Sequence, residues 1–386
     1  MAYYSDLLCK ITRREVRNEV SIQSERALQV QTPPLVKVSG GPYDRGRQHG
    51  RACGDLIRRY PAVLLEVISL EGRWRALDRA SAPEKPADLL SRAMTFLPAM
   101  EAFAPHLVEE VRGIADGARV SFAEALLVNV RAEVMGAAAS EALCTSFALG
   151  REATADGTIL SGQNLDQHPA NRDLMIVLHV EPDRGPAILM CTFAGLVGYP
   201  GINSLGVSLV QNALSTHDWR RDGMPHYLLK RVLLEQQNVR DCTAAAAQAC
   251  VCSSQNYVVT DRSGALCDLE LTPNRFAALG DKRGIIVHAN HFCSPVLAPE
   301  EALLQSIPDS ALRQTRMEVL LSQHHGQIRL DHLKSALADH KGWPTSICRH
   351  ESNVETIASL ITEPDQGRLL VAAGNACKTE FVAYSL

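Results

Sequence analysis

The chain has 386 residues, of which 46% are hydrophobic and 21% charged, a composition that is ample for a large globular core. Its formal net charge is −4, and no basic stripe is present, so we expect no nucleic-acid partner. The first residues, 1–10, contain no apolar run behind a basic start, and every apolar stretch is too short for a bilayer. We therefore expect a cytoplasmic protein without a membrane partner.

Eleven cysteines are many for such a protein, and their number is odd. Most lie in apolar surroundings, as Cys191 and Cys267 do, which favours buried free thiols over a disulfide framework. The pair Cys250-Val251-Cys252 has the wrong spacing for a zinc knuckle, and no Cys-x-x-Cys occurs. We therefore expect no structural metal.

The first elements predicted in chain order are mostly helical. Residues 35–38 predict a short strand that ends at Gly40-Gly41. Helices are expected from Pro42 toward Leu64, after a capping box at residues 81–84 to about Phe103, and after a second capping box at residues 121–124. The following segment, residues 136–140, consists of small residues and ends just before Cys144.

From Cys144 onward the hydrophobic period changes to two, which predicts strands. The expected strands are 144–149, 159–166, 175–180, 187–190, 257–260, 265–270, 285–288, 356–361 and 368–372, and residues 202–210 are expected to contain a turn and a further strand. Helices are expected from Pro225, over 240–249, and near 309–323 and 330–339. Strands that are apolar on both faces need cover on both sides. We therefore predict an α+β protein, an αββα sandwich of two stacked sheets with helices outside and a helical N-terminal segment.

The context of Cys144 distinguishes it from the other cysteines. Most single cysteines are inert core residues. Cys144, however, follows a small-residue segment and opens a strand. The Asp156-Gly157 turn signal precedes a partner strand that ends in Gln163-Asn164-Leu165-Asp166. A hairpin joins its two ends, so we expect Asp166 to lie close to Cys144.

The chain resembles the isopenicillin-N acyltransferase family over roughly residues 35 to 385. Each matching motif is weak alone, but their order along the chain is specific. The motifs are Gly41-Pro42-Tyr43-Asp44-Arg45-Gly46-Arg47-Gln48-His49-Gly50, Cys144-Thr145-Ser146-Phe147, Gly162-Gln163-Asn164-Leu165-Asp166, Asn203-Ser204-Leu205-Gly206-Val207 with Asn212-Ala213-Leu214, Gly223-Met224-Pro225, His288-Ala289-Asn290-His291, Asp309-Ser310 with Arg313 and Arg316-Met317-Glu318, and Ser346-Ile347-Cys348-Arg349.

The resemblance implies an inactive precursor that cuts itself between Leu143 and Cys144. Residues 1–143 would become a small subunit and residues 144–386 a strand-rich catalytic large subunit, which remain associated as one αββα domain. The freed α-amino group has a pKa of about 7.7–8.0 and lies on the same residue as the thiol. It can therefore serve as the base, and no relay histidine is needed.

The resemblance also implies supporting roles for three side chains around the nucleophile. Asp166 matches the acidic residue that orients or stabilises the new ammonium. Asn290 matches the oxyanion-hole amide, a type of contact that can contribute about 3–4 kcal/mol. Asn212 is a weaker candidate for the same hole.

Substrate-binding candidates and two departures from the family pattern come next. Thr272 falls where the family has a serine near the pocket. The family often has Gly before the nucleophile, where this chain has Leu143, which could slow the acyl shift. Asn353 stands where an arginine is expected, and Arg349 is the nearby residue that could substitute for it.

Three functions stay open at this stage. The first is an enzyme that forms acyl-Cys144 from an amide or acyl-CoA donor and passes the acyl group to water or an amine. Its partners would be small molecules, and it would need no bound cofactor, with acyl-CoA as a co-substrate if transfer is the reaction. The second is an uncut cysteine hydrolase with His288 or His291 as base. The third is a degenerate binding subunit.

Overall fold

The strands form two stacked sheets in the computed structural model, which describes residues 32–70, 86–135, 143–302 and 304–386. In chain order the strands are β1 Leu35–Gly40, β2 Leu143–Leu149, β3 Leu160–Gln167, β4 Met175–Pro182, β5 Ile188–Phe193, β6 Gly201–Asn203, β7 Ser208–Ala213, β8 Gln255–Thr260, β9 Leu266–Leu271, β10 Phe276–Leu279, β11 Ile285–His288, β12 Glu355–Glu363, β13 Arg368–Ala372 and β14 Val382–Ser385. One sheet has eight strands in the order β1-β4-β5-β6-β7-β8-β9-β10, and the other has six in the order β11-β2-β3-β12-β13-β14.

The helices lie on the outer face of each sheet. They are α1 Pro42–Leu70, α2 Pro86–Met94, α3 Leu97–Phe103, α4 Pro105–Ala118, α5 Phe122–Asn129, α6 Arg131–Met135, α7 His226–Leu234, α8 Val239–Gln248, α9 Asp309–Ser322 and α10 Leu330–Leu337. The first eight share one apolar cluster with the eight-stranded sheet, whereas α9 and α10 share another with the six-stranded sheet. A third cluster, which includes Cys144, Leu165 and Cys191, fills the space between the sheets. The αββα prediction is confirmed.

The N-terminal segment contributes a strand as well as helices. Strand β1 pairs in parallel with β4, while the other strand pairs within the described residues are antiparallel. The capping box at Ser121 and Glu124 is present as predicted. None of the helices in the described ranges combines the length and hydropathy that a membrane span requires.

Several predicted boundaries were wrong for local reasons. The helix expected to run to Phe103 is broken at residues 95–96, because Pro98 cannot continue an α-helix from the preceding turn. The turn signal at Asp156-Gly157 lies in a longer loop, since Leu149 pairs directly with Leu160. Strands β10 and β14 were missed. The capping box predicted at residues 81–84 lies outside the described residues, as does the small-residue segment 136–140.

Helices α1 and α4 approach so closely that glycine is required at their contact. A Cβ atom on Gly46 would lie 1.9 Å from the Glu110 carbonyl oxygen, and one on Gly113 would lie 2.0 Å from that of Tyr43. Such distances are far below van der Waals contact, so any side chain would push the helices apart. The close approach fixes how the helical N-terminal segment sits on the sheet.

We expect Gly46→Ala to lower the free energy of unfolding by about 1–3 kcal/mol, the usual range for overpacking a close contact. Gly280→Ala is the matched control, because a Cβ atom there has no neighbour within 4 Å. Urea unfolding of both variants beside the wild type tests this. Equal midpoints for Gly46→Ala and Gly280→Ala would show that the helix contact tolerates a methyl group.

Candidate active site

Cys144 lies at the start of an inner strand, and its side chain is fully buried. Strand β2 pairs with β3, so that Leu143 stands opposite Asp166 and Cys144 opposite Leu165. The sequence-based expectation that the hairpin brings Asp166 next to the Leu143–Cys144 bond therefore agrees with the strand register. Leu143 is itself buried and packs against Ile307.

Two side chains hold the backbone of Cys144 from opposite ends. Its N–H donates to Asn290 Oδ1 at 2.9 Å, and its carbonyl oxygen accepts from Arg313 Nη1 at 2.7 Å. Arg313 Nη2 also donates to Asn290 Oδ1 at 3.0 Å, and Nη1 to Thr145 Oγ1 at 2.8 Å. The guanidinium and the carboxamide thus form one rigid clamp around the residue.

The clamp is connected to Asp166 by a chain of buried polar contacts. Arg313 donates to Asp309 at 2.9 Å, and Asp309 also forms an ion pair with Arg349. The backbone N–H of Arg349 donates to Thr356 Oγ1 at 2.8 Å, and that hydroxyl donates to Asp166 Oδ1 at 2.6 Å. The structure therefore brings Arg349 into the same network as Asp166, which is consistent with the predicted substitution for the missing arginine.

The second carboxylate oxygen of Asp166 is unusual. Oδ2 is buried and has no hydrogen-bond partner among the described residues. Burial raises the pKa of Asp166 to about 6, although Arg349, Arg313 and the Thr356 hydroxyl oppose the shift. Its charged form is thus under-stabilised in the continuous chain.

The pKa of the Cys144 thiol is also raised, to about 12, chiefly by burial and in addition by the nearby Asp166 carboxylate. Arg313, Lys230 and a hydrogen bond from the Asp166 backbone act in the opposite direction without cancelling the effect. In the continuous chain the sulfur is therefore a protonated thiol at neutral pH.

The carboxamide of Asn290 can form hydrogen bonds besides its contact with Cys144. Its nitrogen donates to the Ala213 carbonyl oxygen at 3.1 Å, and its backbone N–H donates to Ser310 Oγ at 2.7 Å. An amide nitrogen carries two hydrogens, and the contact with Ala213 is its one hydrogen bond within the described ranges. The second hydrogen therefore has no acceptor among the described residues.

The remaining predicted residues make other contacts. Asn212 accepts from the Ser146 hydroxyl and donates to the His288 carbonyl oxygen at 3.1 Å, two residues further along β2. Thr272 Oγ1 accepts the N–H of Arg275 at 3.0 Å and so stabilises a turn after β9. Asn353 is exposed. None of these three residues is hydrogen-bonded to Cys144 in the described part of the chain, and their predicted roles stay predictions.

Neither histidine proposed as a base in the uncut-hydrolase hypothesis is hydrogen-bonded to Cys144 in the described part of the chain. His288 donates Nε2–H to Glu270 at 2.9 Å and Nδ1–H to the Ala289 carbonyl oxygen at 2.7 Å. Burial lowers the pKa of His288, but Cys293, Asp268 and Glu270 outweigh it and raise the pKa well above its ordinary value. A charged imidazolium cannot accept a proton.

His291 is the other candidate base, and it bonds to Ser310 Oγ at 2.8 Å. Burial, with the charges of His288 and Arg313, lowers its pKa to about 4. The geometry therefore gives little support to a relay histidine.

Arg313, Asp309 and Thr356 were assigned no role from the sequence. The family resemblance includes Asp309 and Arg313 only as part of a matching helix. Their spacing of four residues puts them on one helical face, but nothing in the sequence shows that this face meets Cys144.

A cysteine that opens an inner strand of an αββα sandwich, with an asparagine side chain on its backbone nitrogen, defines the class. The chain is an enzyme of the acyltransferase class with the αββα fold of the N-terminal-nucleophile type. The family model for acyl-coenzyme A:6-aminopenicillanic acid acyl-transferase matches residues 153–378. The chain belongs to that family, and the resemblance seen in the motifs is confirmed.

Similar proteins include the 40 kDa form of acyl-coenzyme A:6-aminopenicillanic-acid-acyltransferase from Emericella nidulans. It is 32% identical over 320 residues, which cover 81% of this chain and 84% of that protein. An uncharacterized protein from Archaeoglobus fulgidus is 23% identical over 77% of this chain and 56% of its own length.

Two solved structures are more distant. A single-residue variant of a conjugated bile acid hydrolase from Clostridium perfringens has a TM-score of 0.43 and 16% identity, over 63% of this chain and 97% of that one. Penicillin V acylase from Agrobacterium tumefaciens has a TM-score of 0.44 and 9% identity, over 63% of this chain and 86% of that one.

The raised pKa of Asp166 predicts a pH-dependent gain of stability when the charge is removed. Its folded pKa of about 6 exceeds its ordinary value of 3.8, so its contribution to stability is full below about pH 4 and is lost as the pH rises through 6. The test uses a Cys144→Ala background, which keeps the chain uncut in either case. We expect the unfolding free energy of Asp166→Asn, measured relative to its parent, to rise by about 2–3 kcal/mol between pH 4 and pH 7.

Urea unfolding at both pH values measures this gain. Asp156→Asn is the control. Its relative unfolding free energy should change with pH in the opposite direction, because a hydrogen bond with Thr158 lowers the pKa of Asp156. A difference between Asp166→Asn and its parent that does not change with pH would contradict the expected burial cost.

Proposed function

We propose that this protein is a self-processing cysteine amidohydrolase or acyltransferase. The Cys144 sulfur attacks the carbonyl carbon of Leu143, the C–N bond breaks, and the acyl group moves to sulfur while the nitrogen gains a proton. Water then opens the thioester, which releases the Leu143 carboxylate and regenerates the thiol. Cys144 thereby becomes an N-terminal residue with a free α-amine.

The observation that carries this proposal is the hydrogen bond from the Cys144 N–H to Asn290 Oδ1. A side-chain acceptor already holds the nitrogen that the cut would convert into an amine. Asp166 Oδ2, which has no hydrogen-bond partner in the part of the chain that the structure describes, lies across the hairpin and offers a second acceptor for the ammonium form. Together the two contacts would keep the new terminus in place.

The high pKa of the thiol in the continuous chain is consistent with a precursor that is inert toward other molecules. The first acyl shift needs no external reactant, because the sulfur and the carbonyl belong to adjacent residues. Their proximity alone can lower the activation free energy by a large part. After the cut, the amine with a pKa near 8 would accept the thiol proton. Activation and catalysis would then use the same sulfur.

The second half of the proposal concerns substrates. An amide or acyl-CoA donor would acylate Cys144, with the amine or thiol of the donor leaving after it takes up the proton. Water or a small amine would then accept the acyl group. The name of the Emericella nidulans relative supports an acyl-CoA donor. A donated hydrogen from Asn290 to the developing oxyanion would contribute about 3–4 kcal/mol.

The fragments 1–143 and 144–386 would remain associated after cleavage. Strand β1 of the first is hydrogen-bonded to β4 of the second, and helices α1–α6 share the apolar cluster of the eight-stranded sheet. Separation would expose that cluster, at a cost of roughly 25 cal/mol per Å² of apolar surface.

Intact-mass analysis of freshly purified protein tests self-processing. We expect two masses that divide between Leu143 and Cys144 in the wild type and one full-length mass in Cys144→Ala. The matched control is Cys191→Ala, which removes another buried thiol whose pKa burial raises to about 12. A full-length mass for wild type would reject self-activation, and the uncut-hydrolase and binding-subunit hypotheses would then be tested by acyl trapping on Cys144.

We expect Asn290→Leu to slow processing by about 10²–10³-fold, because it removes both the acceptor for the Cys144 nitrogen and the spare amide hydrogen. A time course of fragment appearance after synthesis gives the rate. Asn353→Leu is the control, since Asn353 is exposed and lies outside the clamp. Equal rates for the two variants would remove Asn290 from the mechanism.

A further inference from the structure

Four metal-ligating side chains converge on one point beside the candidate active site. His340, Cys348 and His350 lie in the segment between α10 and β12, and Cys377 follows β13. Their ligand atoms all lie within 4.8 Å of one another. Cys348 is buried, His350 and Cys377 are half-buried, and His340 is exposed.

Four of the six separations between these atoms are close to the edges of a tetrahedron around one metal ion, and the other two are below 4.8 Å. Zinc binds sulfur at about 2.3 Å and imidazole nitrogen at about 2.0–2.1 Å, which places the edges at roughly 3.8 Å for S–S, 3.6 Å for S–N and 3.3 Å for N–N. Cys348 Sγ and Cys377 Sγ are 3.7 Å apart. His350 Nε2 is 3.4 Å from each sulfur, and 3.2 Å from His340 Nε2.

The surroundings hold these ligands in place. The Trp343 ring stacks on His350 with centroids 4.4 Å apart, and it meets the edge of His340 at 5.5 Å. The Cys348 N–H donates to the Asp339 carbonyl oxygen at 3.0 Å, and the His350 N–H donates to that of Pro344 at 2.9 Å. The ligand geometry is thus fixed by the local fold.

We propose that His340, Cys348, His350 and Cys377 bind one structural zinc ion. Two thiolates and two imidazoles make a closed tetrahedral set of the kind that structural zinc prefers. No structural metal is expected from the sequence, because the four ligands lack the paired Cys-x-x-Cys spacing and meet only in the folded chain. Binding releases the thiol protons of both cysteines.

The zinc ion would fix the segment that carries Arg349. This arginine lies between two of the ligands and joins Asp309 to the Thr356–Asp166 contact. The side chain of Asn375, two residues before Cys377, donates to the carbonyl oxygens of Arg349 at 3.2 Å and Thr356 at 3.0 Å. Arg349 is here a positioning residue, and the zinc ion would fix its backbone through the neighbouring ligands Cys348 and His350.

A second cluster, formed by Asp268, Glu270, His288 and Cys293, is less suited to bind a metal ion than the first cluster. Both ring nitrogens of His288 already donate to oxygen atoms, so no lone pair is left for coordination. Glu270 accepts N–H donors from Cys293 and Ser294 as well. This cluster supplies the matched control cysteine.

Elemental analysis of the full chain, purified without metal-affinity steps from zinc-supplemented cells, tests the proposal. We expect about one zinc per chain, lost in Cys377→Ser and His350→Ala but retained in Cys293→Ser. The inference does not rest on the proposed function, since Cys144→Ala should carry the same zinc. Zinc content at the wild-type level in Cys377→Ser, or its loss only in Cys293→Ser, would overturn it.

Cobalt substitution of the wild type avoids reliance on variants that fold poorly. Chelator-treated, reduced protein should bind Co²⁺ with the intense d–d bands of a tetrahedral ion and a thiolate-to-cobalt charge-transfer band. Faster hydrogen exchange over residues 338–356 after metal removal, without change over Val239–Gln248, would support the positioning role. A reduced protein that binds neither ion, or a Cys348–Cys377 disulfide in cells with no zinc bound, would reject the site.

Discussion

The hydrogen-bonded clamp on the Cys144 backbone is the constraint on which the rest of the site depends. Asn290 holds the nitrogen, Arg313 holds the carbonyl oxygen, and the two side chains are bonded to each other. Because all three residues are almost fully buried, the geometry cannot relax into solvent. The clamp joins strand β2, the segment after β11 and helix α9, so the position of Cys144 is a property of the whole six-stranded half of the sandwich.

Burying charged groups around a thiol is costly unless each charge is paired. Asp309 lowers the cost of burying the charges of Arg313 and Arg349, since it lies between them and neutralises both in part. Asp166 is left incompletely satisfied, with one oxygen bonded to Thr356 and the other without a partner among the described residues. A new ammonium at Cys144 would supply the missing positive charge, so self-cleavage would relieve an electrostatic cost present in the uncut chain.

Local patterns in the sequence were sufficient for most of the strands, for the αββα class and for the proximity of Asp166 to Cys144, because a hairpin register follows from short-range pairing. They failed at Pro98, where one helix became two, and at residues 150–159, where a turn signal lay inside a longer loop. The role of Arg313 was out of reach for a different reason. It comes from a helix far along the chain, and only tertiary packing reveals which helical face meets Cys144.

The metal-ligand cluster illustrates the same limit and also connects to the clamp. Spacing rules recognise sites whose ligands are local, whereas Cys377 is separated from Cys348 by two strands of the sheet. Those strands bring the end of β13 beside the segment that carries Arg349, and Asn375 bonds both to that segment and to the start of β12. An ion at this point would join the same three pieces of chain. The positions of Arg349 and, through Thr356, of Asp166 would then depend on metal binding as well as on packing, so the electrostatics of the nucleophile would be sensitive to an ion that never touches the substrate.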